Sequence, residues 1–424
     1  MAEAAKNFRE NAGCGGHGGP SLSLEEARAR MLAGIAPVDG SQSVAVRDAL
    51  GRILAENVVS RVDVPSHRNS AMDGYALAGE ALPAEGERGF EVVGTSWAGR
   101  PFEGAVGPGQ CVRIMTGASV PEGADTVIMQ EQVSREGDTA VIGAGHRPGD
   151  NVRPAGEDLR SGETAVAAGT YVRPAQLGLI ASLGVSEVRV RRRPRVAFFS
   201  TGDELKSVGE PLEEGQIYDS NRYTLFGMLT RLGLDVIDMG VVRDRPEELE
   251  AAFTEAARRA DAIITSGGVS VGEADFVTDT LDKLGEIGFW TVAMKPGRPI
   301  AFGRIGEAWF FGLPGNPVSV MATFYQLVQP ALQRLAGIES PDPPLLVAAR
   351  TATRLRKRPG RLEFQRGVLT RQPDGSYVVE STGHQGSGIL RSMAEANCFI
   401  VLEQDRGRVE AGEEVHVQPF QGFA

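Results

Sequence analysis

The sequence predicts a multidomain α/β plus β protein that is built around a doubly wound α/β domain. Between residues 191 and 340, short apolar runs alternate with helical patterns, which is typical of a mainly parallel sheet covered by helices. Residues 56–155 contain short strand patterns punctuated by glycines, and residues 341–424 alternate apolar and polar side chains. A length of 424 residues suits roughly two to four domains.

The domain boundaries follow from changes in these patterns. Residues 1–20 are polar and glycine-rich and are expected to be disordered. Residues 21–55 and 156–190 flank the β-rich inserted domain (residues 56–155), and we expect them to pair as one elongated linking domain. The α/β domain covers residues 191–340, and a small, β-barrel-like C-terminal domain covers residues 341–424.

Composition excludes several classes of protein. The net charge of −11 argues against a chain that coats nucleic acid. Cys14, Cys111 and Cys398 lie far apart, so we expect free thiols rather than a disulfide framework. No apolar run approaches the roughly 18 residues of a membrane span, and no secretory signal begins the chain. The sequence therefore predicts a cytoplasmic protein without a membrane partner.

The N-terminal elements carry clear local signals. Ser23 and Glu26 have the spacing of a capping box, which starts a helix. Val58–Val59 begins the β-rich region, and strands are expected at Phe90–Val93 and Thr126–Met129. Within that region, Asp73 precedes a glycine and predicts a turn.

The α/β domain is predicted from five strands and the helices between them. The predicted strands are residues 196–199, 235–239, 262–265, 289–293 and 308–312. Asp219 or Ser220 caps one helix, and Pro246 occupies the first turn of the next. A long helix is expected at Val318–Leu335, and Asp374 with the following glycine predicts a hairpin turn in the C-terminal domain.

Polar or conformationally special residues follow each of these five strands, where ligands bind in open α/β sheets. The candidates are Thr201, Asp203, Glu204, Asp244, Gly267, Gly268, Ser270, Asp275, Lys295, Arg298, Pro314, Asn316 and Pro317. The glycine-rich turn at residues 266–275 can present backbone N–H groups to an anion. Structural alternatives stay open for single residues: Asp244 could serve only as a cap before Pro246, and the acids near residue 275 could only begin a helix.

The mixture of charges indicates a type of chemistry. Lys295 and Arg298 suit phosphate or another oxyanion. Glu204, Asp244 and Asp275 suit Mg²⁺, which takes a few carboxylates together with substrate phosphate oxygens. No Ser-His-Asp or Cys-His set is evident, so a covalent enzyme intermediate is not indicated. The residues predict metal-assisted chemistry at a phosphate or phosphoanhydride bond.

A series of motifs resembles one known family. The motifs, in chain order, are MDGYA, MTGASVPEGADTVI, GED, STGDEL, SGGVSVGEAD, KPGRP, LPGNPVS, FQRG and GHQGSGI. Together they resemble the MoeA family of molybdopterin molybdenumtransferases, which is related to the E domain of gephyrin. The resemblance covers nearly the whole chain from about residue 20.

The resemblance implies an activity, partners and site residues. It implies an elongated homodimer that takes adenylylated molybdopterin from a molybdopterin adenylyltransferase, inserts molybdenum from molybdate with Mg²⁺, and releases AMP. The site would lie between the α/β domain of one subunit and the MDGYA-bearing domain of the other. The implied functional residues are Asp73, Thr116, Asp158, Glu204, Asp244 and Asp275, with Lys295, Arg298, Arg366 and Ser387 for molybdate or pterin phosphate.

Some alternatives stay open beside this resemblance. Asp73 could serve only its Asp-Gly turn, and Arg366 could be an exposed strand residue. Thr291 stands where bacterial relatives can carry a basic residue, so anion affinity could be lower or supplied by another arginine. A binding or scaffold role, as in gephyrin, and a different nucleotide hydrolase are the competing functions. The retained acids argue against a purely structural role, although a binding role could coexist with the enzyme activity, and the matching β domains argue against a different nucleotide hydrolase.

Overall fold

A computed structural model of the chain describes residues 21–267 and 276–420. These residues form two compact units. The smaller unit comprises residues 43–50 and 56–188, and the larger unit comprises the other described residues. The predicted tail, residues 1–20, lies outside the described residues. The predicted boundaries of the individual domains stay predictions.

The secondary structure has the following bounds. The α-helices are α1 (Leu24–Gly34), α2 (Pro174–Ser182), α3 (Ser220–Arg231), α4 (Pro246–Arg259), α5 (Phe276–Leu284), α6 (Pro317–Thr323), α7 (Gln329–Ala336) and α8 (Leu390–Glu395). Short 3₁₀-helices cover Val46–Ala49, Gly79–Ala81 and Gln130–Gln132, and a π-helical turn covers Phe324–Val328. The strands up to residue 191 are β1 (Ser41–Ala45), β2 (Val58–Val59), β3 (Asn69–Ser70), β4 (Gly74–Leu77), β5 (Glu87–Ser96), β6 (Gln110–Ile114), β7 (Thr126–Met129), β8 (Val133–Glu136), β9 (Thr139–Gly143), β10 (Val152–Arg153), β11 (Thr164–Val166) and β12 (Glu187–Arg191). The later strands are β13 (Arg195–Thr201), β14 (Leu205–Lys206), β15 (Ile217–Tyr218), β16 (Asp235–Val242), β17 (Ala262–Ser266), β18 (Gly285–Thr291), β19 (Met294–Lys295), β20 (Pro299–Ile305), β21 (Ala308–Leu313), β22 (Val347–Thr351), β23 (Leu362–Arg371), β24 (Tyr377–Ser381), β25 (Cys398–Leu402) and β26 (Glu414–Pro419).

The smaller unit is organised around a six-stranded sheet with the order β7-β4-β6-β5-β9-β8. The predicted strand Thr126–Met129 is confirmed, and Phe90–Val93 lies within β5. Gly74 begins β4 and pairs with β7 so closely that a Cβ atom would lie 2.1 Å from the carbonyl oxygen of Ile128. This glycine therefore permits close backbone pairing immediately after Asp73.

The larger unit contains a second six-stranded sheet with the order β16-β13-β17-β21-β20-β18. The first four strands are parallel to one another, whereas β20 is antiparallel to both β21 and β18. Strand β20 was not predicted from the sequence, and it pairs with β21 through a turn at Gly306. The sheet is thus mixed, and its parallel part carries the predicted strand ends.

Helices cover both faces of this sheet, which confirms the doubly wound α/β fold. Alternate residues of β13 point to opposite faces. Phe198 packs in a core with Leu225 of α3 and Met31 of α1, whereas Phe199 packs in another core with Phe253 of α4. The predicted capping box begins α1, because the Glu26 amide donates to Ser23 Oγ (3.1 Å) and the Ser23 amide donates to Glu26 Oε2 (2.9 Å).

The predicted long helix is present but is interrupted by the π-helical turn before Pro330. Proline has no N–H group, so it cannot donate to the carbonyl four residues earlier. That carbonyl belongs to Gln326, and it accepts a 3.0 Å hydrogen bond from Arg28 Nε. A side chain of α1 therefore replaces the donor that the helix backbone lacks.

The C-terminal region forms a closed five-stranded barrel, as the sequence predicted. Strands β23, β24, β22, β26 and β25 follow one another, and β25 pairs back with β23. The predicted hairpin turn lies between β23 and β24, where Asp374 accepts from the Ser376 amide (2.9 Å). Strand β19 pairs in parallel with β23 and places Lys295 beside Glu363. This pairing attaches the KPGRP segment to the barrel.

The described cysteines fit the expectation of free thiols. Cys111 and Cys398 are unpaired and buried, and burial raises the pKa of each thiol to about 12. Cys14 lies outside the described residues. Among the helices of the described ranges, none is long and apolar enough to cross a bilayer.

Candidate active site

The parallel strands bring several predicted residues to one sheet edge. Thr201 pairs with Val242, and Ser266 pairs with Leu313, so the four strands end together. The predicted residues of this edge lie at the strand ends or in the segments that follow them: Thr201, Asp203, Glu204, Asp244, Gly267, Pro314, Asn316 and Pro317. The predicted Gly268, Ser270 and Asp275 lie outside the described residues.

Gly267 allows two of these segments to approach closely. Its φ angle is +94°, and a Cβ atom would lie 2.6 Å from the carbonyl oxygen of Thr201. A side chain at this position would be strained and would also clash with the neighbouring strand end. The glycine predicted for an anion-binding turn thus also has a packing role.

A buried polar cluster holds the same edge in place. Ser200 Oγ donates to Asp219 Oδ1 (3.0 Å) and lies 3.2 Å from Ser266 Oγ. Asp219 Oδ1 also accepts from the Arg222 amide (3.1 Å), which confirms Asp219 as the cap of α3. Asn221 Nδ2 donates to the carbonyl oxygen of Gly315 (2.7 Å). The beginning of α3 is therefore bonded directly to β13 and to the PGNP loop, and it is connected to β17 through Ser200.

The described carboxylates at this edge are candidates for a divalent cation. Glu204 is exposed and Asp244 is half-buried. The Glu204 carboxylate lies over Gly202, since a Cβ atom on Gly202 would come within 2.5 Å of Glu204 Oε2. Within residues 21–267 and 276–420, no three His, Cys, Asp or Glu residues form a complete metal cluster. Mg²⁺ needs only one or two protein carboxylates when phosphate oxygens and water complete its shell, so this donor set fits Mg²⁺.

A cavity of about 430 Å³ lies between the KPGRP segment, helix α6 and the barrel. It brings together three of the predicted residues, Lys295, Arg366 and Ser387. The other lining residues are Pro296, Gly297, Ser319, Arg361, Glu363, Phe364, Gln385 and Gly386. Arg298 is exposed and does not line this cavity, and neither do Pro314, Asn316 and Pro317.

Arg366 is fixed within the cavity wall. Only 1% of its surface is exposed, so the alternative of an exposed strand residue is wrong. Its Nε donates to Ser392 Oγ (3.0 Å), and its Nη2 donates to the carbonyl oxygens of Gly386 (3.0 Å) and His384 (3.4 Å). Burial lowers the pKa of the guanidinium to about 10, which leaves it charged at neutral pH. The side chain is a pre-oriented cation.

The GHQGSG loop is bonded to both neighbouring elements. Gln385 Oε1 accepts from the Arg366 amide (2.7 Å), and Gln385 Nε2 donates to the Ser381 hydroxyl (3.0 Å). On the other side, the Val318 amide of α6 donates to the carbonyl oxygen of Ser387 (3.0 Å). These bonds hold the segment that carries Ser387 against the cavity.

Several residues of this cavity were not predicted from the sequence. The lining also includes Arg361, Glu363, Gln385 and Ser319. Ser392 does not line the cavity, but its hydroxyl accepts a hydrogen bond from Arg366. Gln385 and Ser319 lie inside the motifs GHQGSGI and LPGNPVS, which were therefore a usable signal. Glu363 had no local signal, because its partner Lys295 is distant in the chain.

The smaller unit positions Asp73 and Thr116 together. Asp73 Oδ1 accepts hydrogen bonds from the Thr116 amide and from the Thr116 hydroxyl, both at 2.7 Å. These bonds lower the pKa of the Asp73 carboxyl, and the charge of Arg113 acts in the same direction. The Asp73 carboxylate thus does more than form an Asp-Gly turn. Asp158 is exposed in another loop of this unit, and its amide donates to the carbonyl oxygen of Val64 (3.0 Å).

Comparisons with known proteins agree with the motifs. Three family profiles match in order: the MoeA N-terminal region (domain I and II) at residues 22–184, a probable molybdopterin binding domain at residues 197–334, and the MoeA C-terminal region (domain IV) at residues 348–420. A molybdopterin molybdenumtransferase from Haemophilus influenzae is 46% identical over 94% of this chain and 98% of its own length. The chain belongs to the MoeA family of molybdopterin molybdenumtransferases.

Other members of the MoeA family support this assignment. A molybdopterin molybdenumtransferase from Bacillus subtilis is 35% identical over 88% of both chains. The crystal structure of a molybdopterin biosynthesis MoeA protein from Pyrococcus horikoshii has a TM-score of 0.81 and 29% identity, covering 95% of this chain and 100% of its own. Gephyrin from Dictyostelium discoideum is 33% identical over 88% of this chain, but over only 58% of gephyrin. The chain is therefore an enzyme of molybdenum cofactor biosynthesis.

Proposed function

We propose that this MoeA-family enzyme transfers molybdenum from molybdate to adenylylated molybdopterin, cleaves the pyrophosphate link with Mg²⁺, and releases AMP. The cationic cavity is the observation that carries the proposal. It combines Lys295, Arg366 and Ser387 in about 430 Å³, which is ample space for a tetrahedral oxyanion. The neighbouring sheet edge supplies carboxylates and backbone turns for the nucleotide part of the substrate.

Arg366 is the main molybdate ligand in this proposal. Its Nε and Nη2 atoms are occupied by Ser392 and the GHQGSG loop, whereas Nη1 has no hydrogen bond to a described residue. Two N–H groups of Nη1 therefore remain for an oxyanion. Lys295 Nζ adds a second charge, and the Ser387 hydroxyl adds a neutral donor at the same wall. Because hydrogen bonds already fix the Arg366 side chain, that side chain loses little conformational entropy when the anion binds.

The pterin phosphate and the pyrophosphate would occupy the sheet edge beside the cavity. Gly267, Pro314, Asn316 and Pro317 form the described part of this edge, and Arg298 is an exposed cation next to it. Gly268 and Ser270 continue the same predicted turn outside the described residues. Glu204 and Asp244, together with Asp275, would hold Mg²⁺, which supplies positive charge to the phosphoanhydride oxygens when bound.

A second copy of the chain would complete the site. Asp73, Thr116 and Asp158 all belong to the smaller unit, and we place them opposite the α/β domain of the partner subunit in a homodimer. The segment around α3 supports association, because six large apolar side chains are exposed there. They are Val208, Leu212, Ile217, Tyr218, Tyr223 and Phe226. Large apolar side chains exposed in such number within one segment are common at protein interfaces. The donor of adenylylated molybdopterin would be a molybdopterin adenylyltransferase.

A reconstituted reaction tests the proposed activity. The purified full chain is incubated with adenylylated molybdopterin, molybdate and Mg²⁺, and AMP is measured by chromatography. We expect AMP release that requires both molybdate and Mg²⁺, and loss of turnover in an Asp275→Ala variant that keeps its fold. A protein that binds the substrate without any turnover would favour a scaffold role. Hydrolysis of ordinary nucleotides would favour a different nucleotide hydrolase.

Mixed dimers test the shared site. Asp73→Asn and Asp244→Asn variants are each expected to lose turnover as homodimers. When the two are co-expressed with different tags and the mixed dimer is isolated, one of its two sites receives both intact residues. Such a dimer should recover about half of the wild-type rate if Asp73 acts across the subunit interface. A mixed dimer as inactive as either parent would contradict the shared site.

A further inference from the structure

The cavity that Lys295, Arg366 and Ser387 line also contains one buried carboxylate, that of Glu363. We infer that the negative charge of Glu363 weakens the binding of a dianion in this cavity, so that the bound dianion can leave it again. The inference rests on the proposed role of the cavity in molybdate binding. Only 7% of the Glu363 side chain is exposed. Its Oε1 atom accepts hydrogen bonds from Lys295 Nζ (3.0 Å) and from Gln365 Nε2 (3.0 Å). The carboxylate is therefore held in one position at the cavity wall.

Glu363 lowers the net positive charge of the cavity lining. The lining side chains include three cations, Lys295, Arg361 and Arg366, and Glu363 is the one carboxylate among them. The lining side chains therefore carry a net charge of +2, which is equal and opposite to the charge of −2 on a molybdate dianion at neutral pH. Without Glu363, the same residues would carry an excess positive charge that a dianion could not neutralise. The carboxylate thus lowers the attraction of the cavity for anions in general.

Glu363 also competes directly for Lys295. The ammonium group of Lys295 has three donors, and one of them is directed to Glu363. The Lys295 side chain is 45% exposed, so its other donors are accessible. An oxyanion that binds here must share this ammonium with a buried negative charge, and repulsion between the two anions weakens binding. Weak binding suits an oxyanion that is to be transferred, because a cavity with unopposed cations would retain it.

Substitution of Glu363 by glutamine tests this inference, because it removes the charge and preserves the shape. Molybdate binding to the full-length chain is measured by isothermal titration calorimetry at fixed pH and ionic strength. We expect the dissociation constant of Glu363→Gln to fall by at least about threefold, since a nearby like charge is removed. Sulfate, another tetrahedral dianion, should show a change in the same direction.

Two further variants test whether the effect depends on the negative charge at residue 363 and on its place in the cavity. Glu363→Asp keeps the charge but shortens the side chain, and its dissociation constant should stay within about twofold of the wild type. Glu380→Gln makes the same charge change at an exposed position of β24 and should leave binding unaltered. A thermal melt establishes that each variant is folded.

The outcomes distinguish this inference from the proposed function. Unchanged or weaker molybdate binding by Glu363→Gln would overturn the inference, because it would show that Glu363 does not oppose the anion. Equal tightening in Glu363→Asp would also overturn it, because the charge would then be irrelevant. If the wild type bound molybdate nowhere, the proposed role of the cavity itself would fail. Wild-type binding with no effect of Glu363 would leave that role intact.

Discussion

Arg366 and Ser392 are joined by a 3.0 Å hydrogen bond from the guanidinium Nε to the hydroxyl oxygen. Ser392 is 3% exposed and donates in turn to the carbonyl oxygen of Ile389 (2.6 Å). The hydroxyl thus connects the buried cation to the beginning of α8. Ser392 fixes the orientation of the Arg366 guanidinium but does not line the cavity. A substitution at Ser392 can therefore change this orientation without changing the residues of the cavity surface.

The first prediction concerns a Ser392→Ala variant. Loss of the hydroxyl leaves the buried Nε–H of Arg366 without its acceptor, which should lower the free energy of unfolding by about 1–3 kcal/mol. The freed guanidinium should bind molybdate less well, so we expect a higher KM for molybdate with kcat largely retained. Chemical denaturation and steady-state AMP release measure the two effects.

Ser392→Thr is the control, because it retains a hydroxyl group at the same position. Its KM for molybdate should return toward the wild-type value. A Ser392→Ala enzyme with unchanged KM for molybdate would show that this hydrogen bond does not position Arg366 for the anion.

The second prediction concerns pH. The Thr116 amide and hydroxyl lower the pKa of Asp73 by stabilising its charged form. Thr116→Val removes the hydroxyl donor and should therefore raise the pKa of Asp73. If turnover requires the ionised carboxylate, activity should begin to fall at a higher pH on acidification than in the wild type. The pH profile of kcat/KM measures this acidic limb.

Thr116→Ser keeps the hydroxyl and serves as the matched variant. Its acidic limb should coincide with that of the wild type. If kcat/KM of Thr116→Val and of the wild type fell over the same acidic pH range, ionisation of Asp73 would not control the pH dependence, whatever the absolute rates are.

The third prediction concerns Gly297, which follows Lys295 in the KPGRP segment. Gly297 has a φ angle of +94°, and a Cβ atom would lie 2.4 Å from Thr323 Oγ1 of α6. Gly297→Ala should therefore impose both backbone strain and a steric clash, together lowering the free energy of unfolding by about 2–5 kcal/mol. Denaturant titration measures the loss.

Gly306→Ala separates the two causes. Gly306 has a φ angle of +59°, but no atom lies within 4 Å of its would-be Cβ. This variant should lose only the strain contribution, about 1–2 kcal/mol. Equal losses in the two variants would mean that α6 does not restrict the position of Gly297.

The fold was largely predictable where the signals are local. The Ser23 capping box, the strand Thr126–Met129 and the hairpin turn at Asp374 each depend on neighbouring residues, and all three are present. Strand Pro299–Ile305 was missed because a proline begins it and Gly303 interrupts its apolar pattern. Gly303 is needed there, since a Cβ atom would lie 2.1 Å from the carbonyl oxygen of Glu286.

The candidate site was predictable only in part for the same reason. Parallel strands end at one edge by geometry, so Glu204, Asp244 and Gly267 could be grouped without a structure. The bond between Lys295 and Glu363 joins residues 68 positions apart, and no local pattern indicates that pairing. The donation from Arg28 to the Gln326 carbonyl spans 298 positions. Such contacts depend on how domains of the larger unit pack, which a single sequence does not reveal.

The central claim is that pyrophosphate cleavage is coupled to molybdenum insertion in one site. The most direct measurement is a single-turnover reaction in which AMP and pterin-bound molybdenum are quantified in the same samples, by chromatography and by elemental mass spectrometry. We predict that the two products appear together in equal amounts and that neither appears without molybdate. AMP release at an undiminished rate without molybdate, or in large excess over bound molybdenum, would contradict the claim.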